Sequence, residues 1–187
     1  MKIALTGTSS TGKTTLAKAL LKEKSFYKYV TKFLSADARS ILDKKGFHSM
    51  DRMTKQDIIE FQREYVSTKS EMENLEDNFI TDRSFVDCAS YWLIRDTFDM
   101  DASIQNTLIS ECYIQALKYD LHIYLPFGII PFESDGYRSE NIDIHERIDE
   151  QINSFLIEWH IKYLTLGMDS LEERIRTVIK YLEKYYD

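Results

Sequence analysis

Apolar and polar positions along the chain switch between a strand-like and a helix-like pattern, and the switches divide it into elements. Residues 2–6 form a short apolar run that reads as a strand, and a helix follows from about 13 to 23. The stretch "YKYVTKF" (27–33), rich in β-branched and aromatic residues, reads as a second strand. "SADARSILDKKG" (35–46) predicts a helix stopped by Gly46. A long amphipathic helix covers 54–73, with Thr54 and Asp57 at capping-box spacing. "NFITD" (78–82) is a third strand. "SFVDCASYWLIRD" (84–96) opens the next helix, again with capping spacing at Ser84 and Asp87, and another helix covers about 102–118. "DLHIYLPF" (120–127) is a fourth strand stopped by Pro126. A loop over 128–143 and a helix over 144–158 follow. "HIKYLTL" (160–166) is the fifth strand, and Ser170 with Glu173 caps a last helix running to about Tyr185.

Five strands, each followed by helical sequence, argue for an α/β fold with a parallel sheet covered on both faces. Nothing along the chain reads as a repeat, a low-complexity tract or an interdomain linker. We therefore expect a single domain over 1–187, with one candidate mobile segment at 128–143.

Composition narrows the function classes. Apolar residues at 43% and charged residues at 29% suit an ordinary globular chain with a real core. No stretch approaches the roughly 20 apolar residues of a membrane helix, and the N-terminus enters a strand without the pattern of a signal peptide. Cys88 and Cys112 are unpatterned, which suggests free thiols in a reducing cytoplasm. The four histidines stand at no metal-site spacing, which argues against zinc. A net charge of −7 argues against a protein that lives on the nucleic-acid backbone and favours a small diffusing substrate.

The chemistry begins at residues 7–14, "GTSSTGKT". Gly7, Gly12, Lys13 and Thr14 meet the spacing Gly-x-x-x-x-Gly-Lys-Thr between an apolar strand and a helix. Glycines let the backbone approach an oxyanion, and the amides of Thr8, Ser9, Ser10, Thr11 and Gly12 can then form an anion nest. The helix beginning near Lys13 aims its positive end at the same point. Lys13 supplies a point charge for the outer phosphates. The Thr14 hydroxyl, with Thr15 beside it, suits Mg²⁺.

A phosphoryl-transfer site also needs an acid near the metal or the acceptor. Ligands of open parallel sheets sit at the strands' carboxyl ends, and only the third strand ends directly in an acid, Asp82. Asp82 could cap the following helix, but Ser84 is the better cap, which leaves Asp82 for catalysis or the metal. Arg83, Asp87 and Tyr91 are spaced by four and share a helix face. That face either lines an acceptor pocket or forms a surface ion pair beside a half-buried tyrosine. Arg39, Gln62 and Arg63 lie on helices between the second and third strands; they either cover the acceptor, as that region does in α/β kinases, or are exposed helix residues. Arg138, in the loop, and Arg147, on the next helix, can close over a nucleotide as a lid spanning 128–147.

"GTSSTGKTT", "ITDRSFVDCASYW" and "SDGYRS" together resemble the P-loop small-molecule kinases. The nearest resemblance is to the group containing nicotinamide riboside kinase domains and phage-type nucleotide kinases, with similarity also to thymidylate and deoxynucleoside kinases. The resemblance implies a five-stranded parallel sheet in the order 2-3-1-4-5 with helices on both faces and a small lid. It implies ATP and Mg²⁺, Asp82 and Arg83 facing the acceptor, and Arg138 in the lid. One departure stands out: relatives often carry Glu three positions before the arginine of the helix after the second strand, where this chain has Ala36 before Arg39.

The expected function is an ATP-dependent kinase for a nucleoside or a (deoxy)nucleoside monophosphate, cytoplasmic, with a homodimer left open. Lys13, Asp82, Arg83 and Arg138 would be catalytic; Thr14 and Asp82 would hold the metal; Arg39, Gln62, Arg83, Asp87 and Tyr91 would meet the acceptor. Two other readings stay open. One is a non-catalytic or slowly hydrolysing ATP-binding switch or sensor, and the other a kinase for a hydroxyl within a nucleic acid.

Overall fold

A computed structural model of the chain describes residues 1–48, 50–95, 102–137 and 139–187. Five strands, β1 (Lys2–Thr6), β2 (Phe33–Leu34), β3 (Phe79–Asp82), β4 (Leu121–Tyr124) and β5 (Tyr163–Thr165), form one parallel sheet in the order β2-β3-β1-β4-β5. This is the order that the resemblance implies. Between the first strands lie α1 (Lys13–Leu20), α2 (Lys24–Tyr27), α3 (Ala38–Lys44) and α4 (Lys55–Asn74). After β3 come α5 (Phe85–Ile94), α6 (Ala102–Ala116), α7 (Ile142–Glu158) and α8 (Leu171–Tyr185).

Side chains alternate across a strand, so β1 feeds two cores. Ile3 and Leu5 pack with Leu16, Leu20, Phe26, Ile80, Ile123, Val178 and Leu182, under α1, α2 and α8. Ala4 points the other way, into a larger cluster built from α3 to α7. Parallel strands covered on both faces read as continuous apolar runs, as these do.

The second strand departs from expectation. Most of the stretch 27–33 is not extended, and only Phe33 falls in β2: α2 ends at Tyr27, and a turn follows in which Tyr29 and Val30 N–H groups return to the Phe26 carbonyl at 2.9 and 3.3 Å. Phe26, Tyr29 and Val30 are all buried in one cluster. Their spacing of three and four is helical, and it outweighs the β-preference of the individual residues. Only Phe33 and Leu34 pair with β3. The expected helix caps are present at Thr54, Ser84 and Ser170, the first two as reciprocal capping boxes with Asp57 and Asp87.

Two features position the site. The sheet register sets Leu5 beside Asp82 and Thr6 beside Tyr124, so the loops after β1, β3 and β4 open at one edge. Behind β3, fully buried Lys69 of α4 donates to Glu73 and to Thr81 Oγ1 (2.9 Å), and Glu73 accepts from Tyr119 Oη at 2.6 Å. A buried charge is tolerated only when paired and hydrogen-bonded, and this cluster ties α4 to the strand that ends in Asp82. No helix among the described residues is long and apolar enough to cross a membrane.

Candidate active site

Residues 7–12 turn tightly between β1 and α1. Gly7 has φ +148°, and a Cβ there would stand 2.5 Å from the Leu125 carbonyl oxygen. Gly12 caps α1 at φ +83°, where a Cβ would meet Arg174 Nη1 at 3.0 Å. Gly7 excludes a side chain by space and by backbone angle, and Gly12 by backbone angle, with a tight contact to the Arg174 tip beside it. Lys13 is buried, and its Nζ donates to the Thr8 carbonyl (2.5 Å) and to Thr11 Oγ1 (3.2 Å). Burial, with Arg83 in second place, lowers its hold on the proton, while Asp82 and Asp87 oppose the shift. The ammonium therefore sits over the loop's own oxygens.

Three distant side chains clamp the loop. Asp87 is fully buried; its Oδ1 accepts from Gly7 N at 2.9 Å, and its Oδ2 accepts from Ser84 N and Oγ at 2.8 and 2.7 Å. Arg174, at the start of α8, donates from Nη1 to the Thr11 carbonyl (2.9 Å) and from Nε to the Met168 carbonyl (2.7 Å). His145 of α7 lies 3.1 Å from Thr8 Oγ1 through Nδ1. Asp87 thus spends both oxygens on the loop and on its own helix cap. Arg174 and His145 were not singled out in the sequence, because nothing near them marks a partner more than a hundred positions away.

At the end of β3, Asp82 accepts a short hydrogen bond from Thr14 Oγ1. Arg83 has φ +70° and precedes the N-cap Ser84, so it does not belong to the helix face that its spacing suggested. The side chain nevertheless folds back, with its guanidinium carbon 4.7 Å from the Tyr91 ring centroid and Nη1 3.9 Å from Asp87 Oδ1. Tyr91 Oη lies 3.1 Å from both Thr8 Oγ1 and Ser9 Oγ, and Arg95 covers its ring at 5.4 Å. Burial pushes the phenol up, but Arg83 and Arg95 outweigh it, with help from the Ser9 hydrogen bond. The result is a value of about 8.

A family model described as AAA domain matches residues 2–174. The chain belongs to the AAA domain family. Solved structures share its fold along nearly the whole length. Deoxyadenosine kinase from M. mycoides with bound dATP superposes with a TM-score of 0.71 at 17% identity, covering 98% of this chain and 99% of that one. Thymidylate kinase from Candida albicans gives 0.68 at 15%, covering 98% and 91%. NadR protein in complex with NR gives 0.67 at 17%, and this chain spans half of it. No curated protein gives a significant match. At these identities the likeness is one of fold, and it agrees with the group that the motifs resemble.

In this member of the family an open cleft of about 830 Å³ runs along the phosphate loop. Ser9 through Thr15, Asp82, Arg83, Tyr91, Arg95 and Arg39 of α3 line it. A smaller, mostly apolar recess beside it is lined by Phe61, Gln62, Tyr65, Val66, Cys88 and Tyr91, with Arg83 and Asp87 at its edge. Gln62 is buried and donates to the Tyr91 carbonyl at 3.3 Å. The segment 130–137 lies against the cleft's mouth. Ser10 Oγ donates to the Glu133 carbonyl at 2.9 Å, Asp135 pairs with Arg39, and Tyr137 Oη donates to Asp43 Oδ1 at 3.1 Å. Arg138 lies outside the described residues. Arg63 and Arg147 are exposed, and neither lines the cleft. Cys88 and Cys112 are free and buried, and burial drives both thiols up, Cys88 to about 12.

Proposed function

We propose that the chain is an ATP-dependent kinase acting on a small nucleoside or nucleoside monophosphate, with the monophosphate the better fit. The observation that carries this reading is the meeting of Thr14 and Asp82 beside Lys13, in a cleft that Arg39 and Arg83 also line. That cleft holds phosphate-binding donors at one end and a partly aromatic recess at the other.

The loop's backbone N–H groups and the start of α1 would take the β- and γ-phosphates. Phosphate oxygens would replace the Thr8 carbonyl and Thr11 hydroxyl as partners of Lys13. Thr14 and Asp82 offer two hard oxygen donors in mutual contact, which suits Mg²⁺. When bound, the ion neutralises charge on the transferring group. Phe61, Tyr65, Tyr91 and Gln62 would hold a planar heterocycle, and Arg83 would anchor the acceptor's charged end.

A hydroxyl acceptor benefits from a carboxylate base, whereas a monophosphate needs cations. Asp82 is turned to Thr14, and Asp37 spends its carboxylate on the N–H groups of Arg39 and Ser40. Ala36 supplies none, while Arg39, Arg83 and Arg95 all line the cleft. The nucleoside reading draws its support from Asp135, which neutralises Arg39.

The test is phosphoryl transfer from γ-labelled ATP with Mg²⁺ across nucleosides, NMPs, dNMPs and a short oligonucleotide, with Lys13→Ala as the blank. Label reaching one acceptor, and lost in the blank, identifies the substrate. ATP binding without transfer to any acceptor would overturn the kinase reading in favour of a sensor.

A further inference from the structure

We infer that a one-way hydrogen-bond chain couples the Arg83 end of the cleft to the backbone of the segment closing it, with His145 as its positioning residue. The inference rests on the proposed role of Arg83, but its geometry stands alone. His145 is fully buried, with its ring stacked against Phe127 and tilted against Phe132 at centroid distances of 5.6 and 5.0 Å. Its Nε2 lies 2.9 Å from the Ser139 carbonyl oxygen, an atom that can only accept. Nε2 therefore carries the hydrogen, and in the neutral ring Nδ1 is an acceptor. The Thr8 hydroxyl, 3.1 Å from Nδ1, must then donate to it. With its hydrogen committed, Thr8 Oγ1 can only accept from Tyr91 Oη, again at 3.1 Å. Tyr91 Oη in turn accepts from Ser9 Oγ (3.1 Å), and Ser9 Oγ accepts from Arg83 Nη2 (3.2 Å).

The direction Arg83 → Ser9 → Tyr91 → Thr8 → His145 → Ser139 follows from a single carbonyl. Each link polarises the next in a low-dielectric setting. Thr8, His145 and Ser139 are almost fully buried, so water does not replace the links among them. The chain starts at the proposed acceptor arginine, crosses the phosphate loop, and ends one residue beyond Arg138. A group drawing on Arg83, or a phosphate moving the loop at Thr8, changes the hold on Ser139.

Two measurements test this. The first is the ¹⁵N NMR tautomer of His145 at neutral pH in the unmutated protein. The neutral Nε2–H form is expected; an Nδ1–H tautomer or a doubly protonated ring overturns the direction of the chain. The second is hydrogen exchange of the amides at 139–142 with and without MgADP. Thr8→Val removes the hydroxyl at nearly constant volume and keeps the backbone N–H; Thr8→Ser restores the hydroxyl. MgADP should slow exchange at 139–142 in the wild type and in Thr8→Ser, and on the order of tenfold less in Thr8→Val. Equal protection in all three overturns the coupling. A protein that binds no MgADP would sink the kinase reading instead, and the tautomer would still decide the chain.

Discussion

The Tyr91 hydroxyl, bonded to Thr8 and Ser9 under two guanidinium groups, holds its proton only to about pH 8, against 10 for an ordinary tyrosine. Because the folded value lies below the unfolded one, the unfolded chain binds more protons between pH 8 and 10. Stability from this group therefore grows across that window, is complete above pH 10, and is absent below pH 8, with a ceiling of about 2–3 kcal/mol. Denaturation of wild type and Tyr91→Phe at pH 7 and pH 10 should show the difference widening with pH. A flat difference would mean the arginines do not act on the phenol. At Gly7 the expectation is steric. Gly7→Ala drives a Cβ into the Leu125 carbonyl and should cost about 2–4 kcal/mol and abolish nucleotide binding, read by denaturation and calorimetry. The glycine's role was legible from its motif. The identity of its obstacle was not, because Leu125 arrives from the turn after β4.

At the scale of elements, α5 is held to the phosphate loop by its own N-terminal cap. Asp87→Asn keeps the shape but has one acceptor oxygen where the carboxylate has two, so it turns an amide NH₂ toward either the Gly7 N–H or the Ser84 donors. We expect about 1–3 kcal/mol of lost stability and weaker MgADP binding, whereas Ser84→Ala, which leaves Gly7 held, should cost stability alone. Unchanged nucleotide affinity in Asp87→Asn would show that the clamp does not shape the loop. The Lys69–Glu73 pair allows a sharper comparison. Lys69→Met alone strands a buried carboxylate and should cost about 3–5 kcal/mol, while Lys69→Met with Glu73→Met should cost less than the single change. Capping residues, the long α4 and the parallel alternation were readable because their signals are local. Residues 27–33 were misread because three apolar residues at helical spacing were carried by side chains that prefer strands. The line from Arg83 to Tyr91 was read correctly as a cluster and wrongly as one helix face, since Arg83 reaches the ring from a left-handed turn.

For the molecule as a whole, the sheet order, the edge bearing the site and about half of the residues lining the cleft could be read from the sequence, because motif and strand order place them together. Arg95, Arg174, His145 and the partners of the 130–137 segment could not, since each is defined by a contact across the fold. Ligand linkage provides a global check. MgADP at about 100 times its dissociation constant should stabilise the protein by about 2.7 kcal/mol and raise its Tm by roughly 5–10 °C. Lys13→Ala should show little of this rise in a thermal scan; an equal rise would place the nucleotide elsewhere. Lastly, the clamps on the phosphate loop come from 80, 137 and 163 residues downstream, through Asp87, His145 and Arg174. A ribosome makes the loop first and its clamps last. A nascent chain therefore displays the nucleotide-binding motif long before it can shape it, and a product truncated ahead of Arg174 should compete poorly for cellular nucleotide. The order of synthesis thus becomes a completeness check, with nucleotide binding reserved for chains that have finished all five strands.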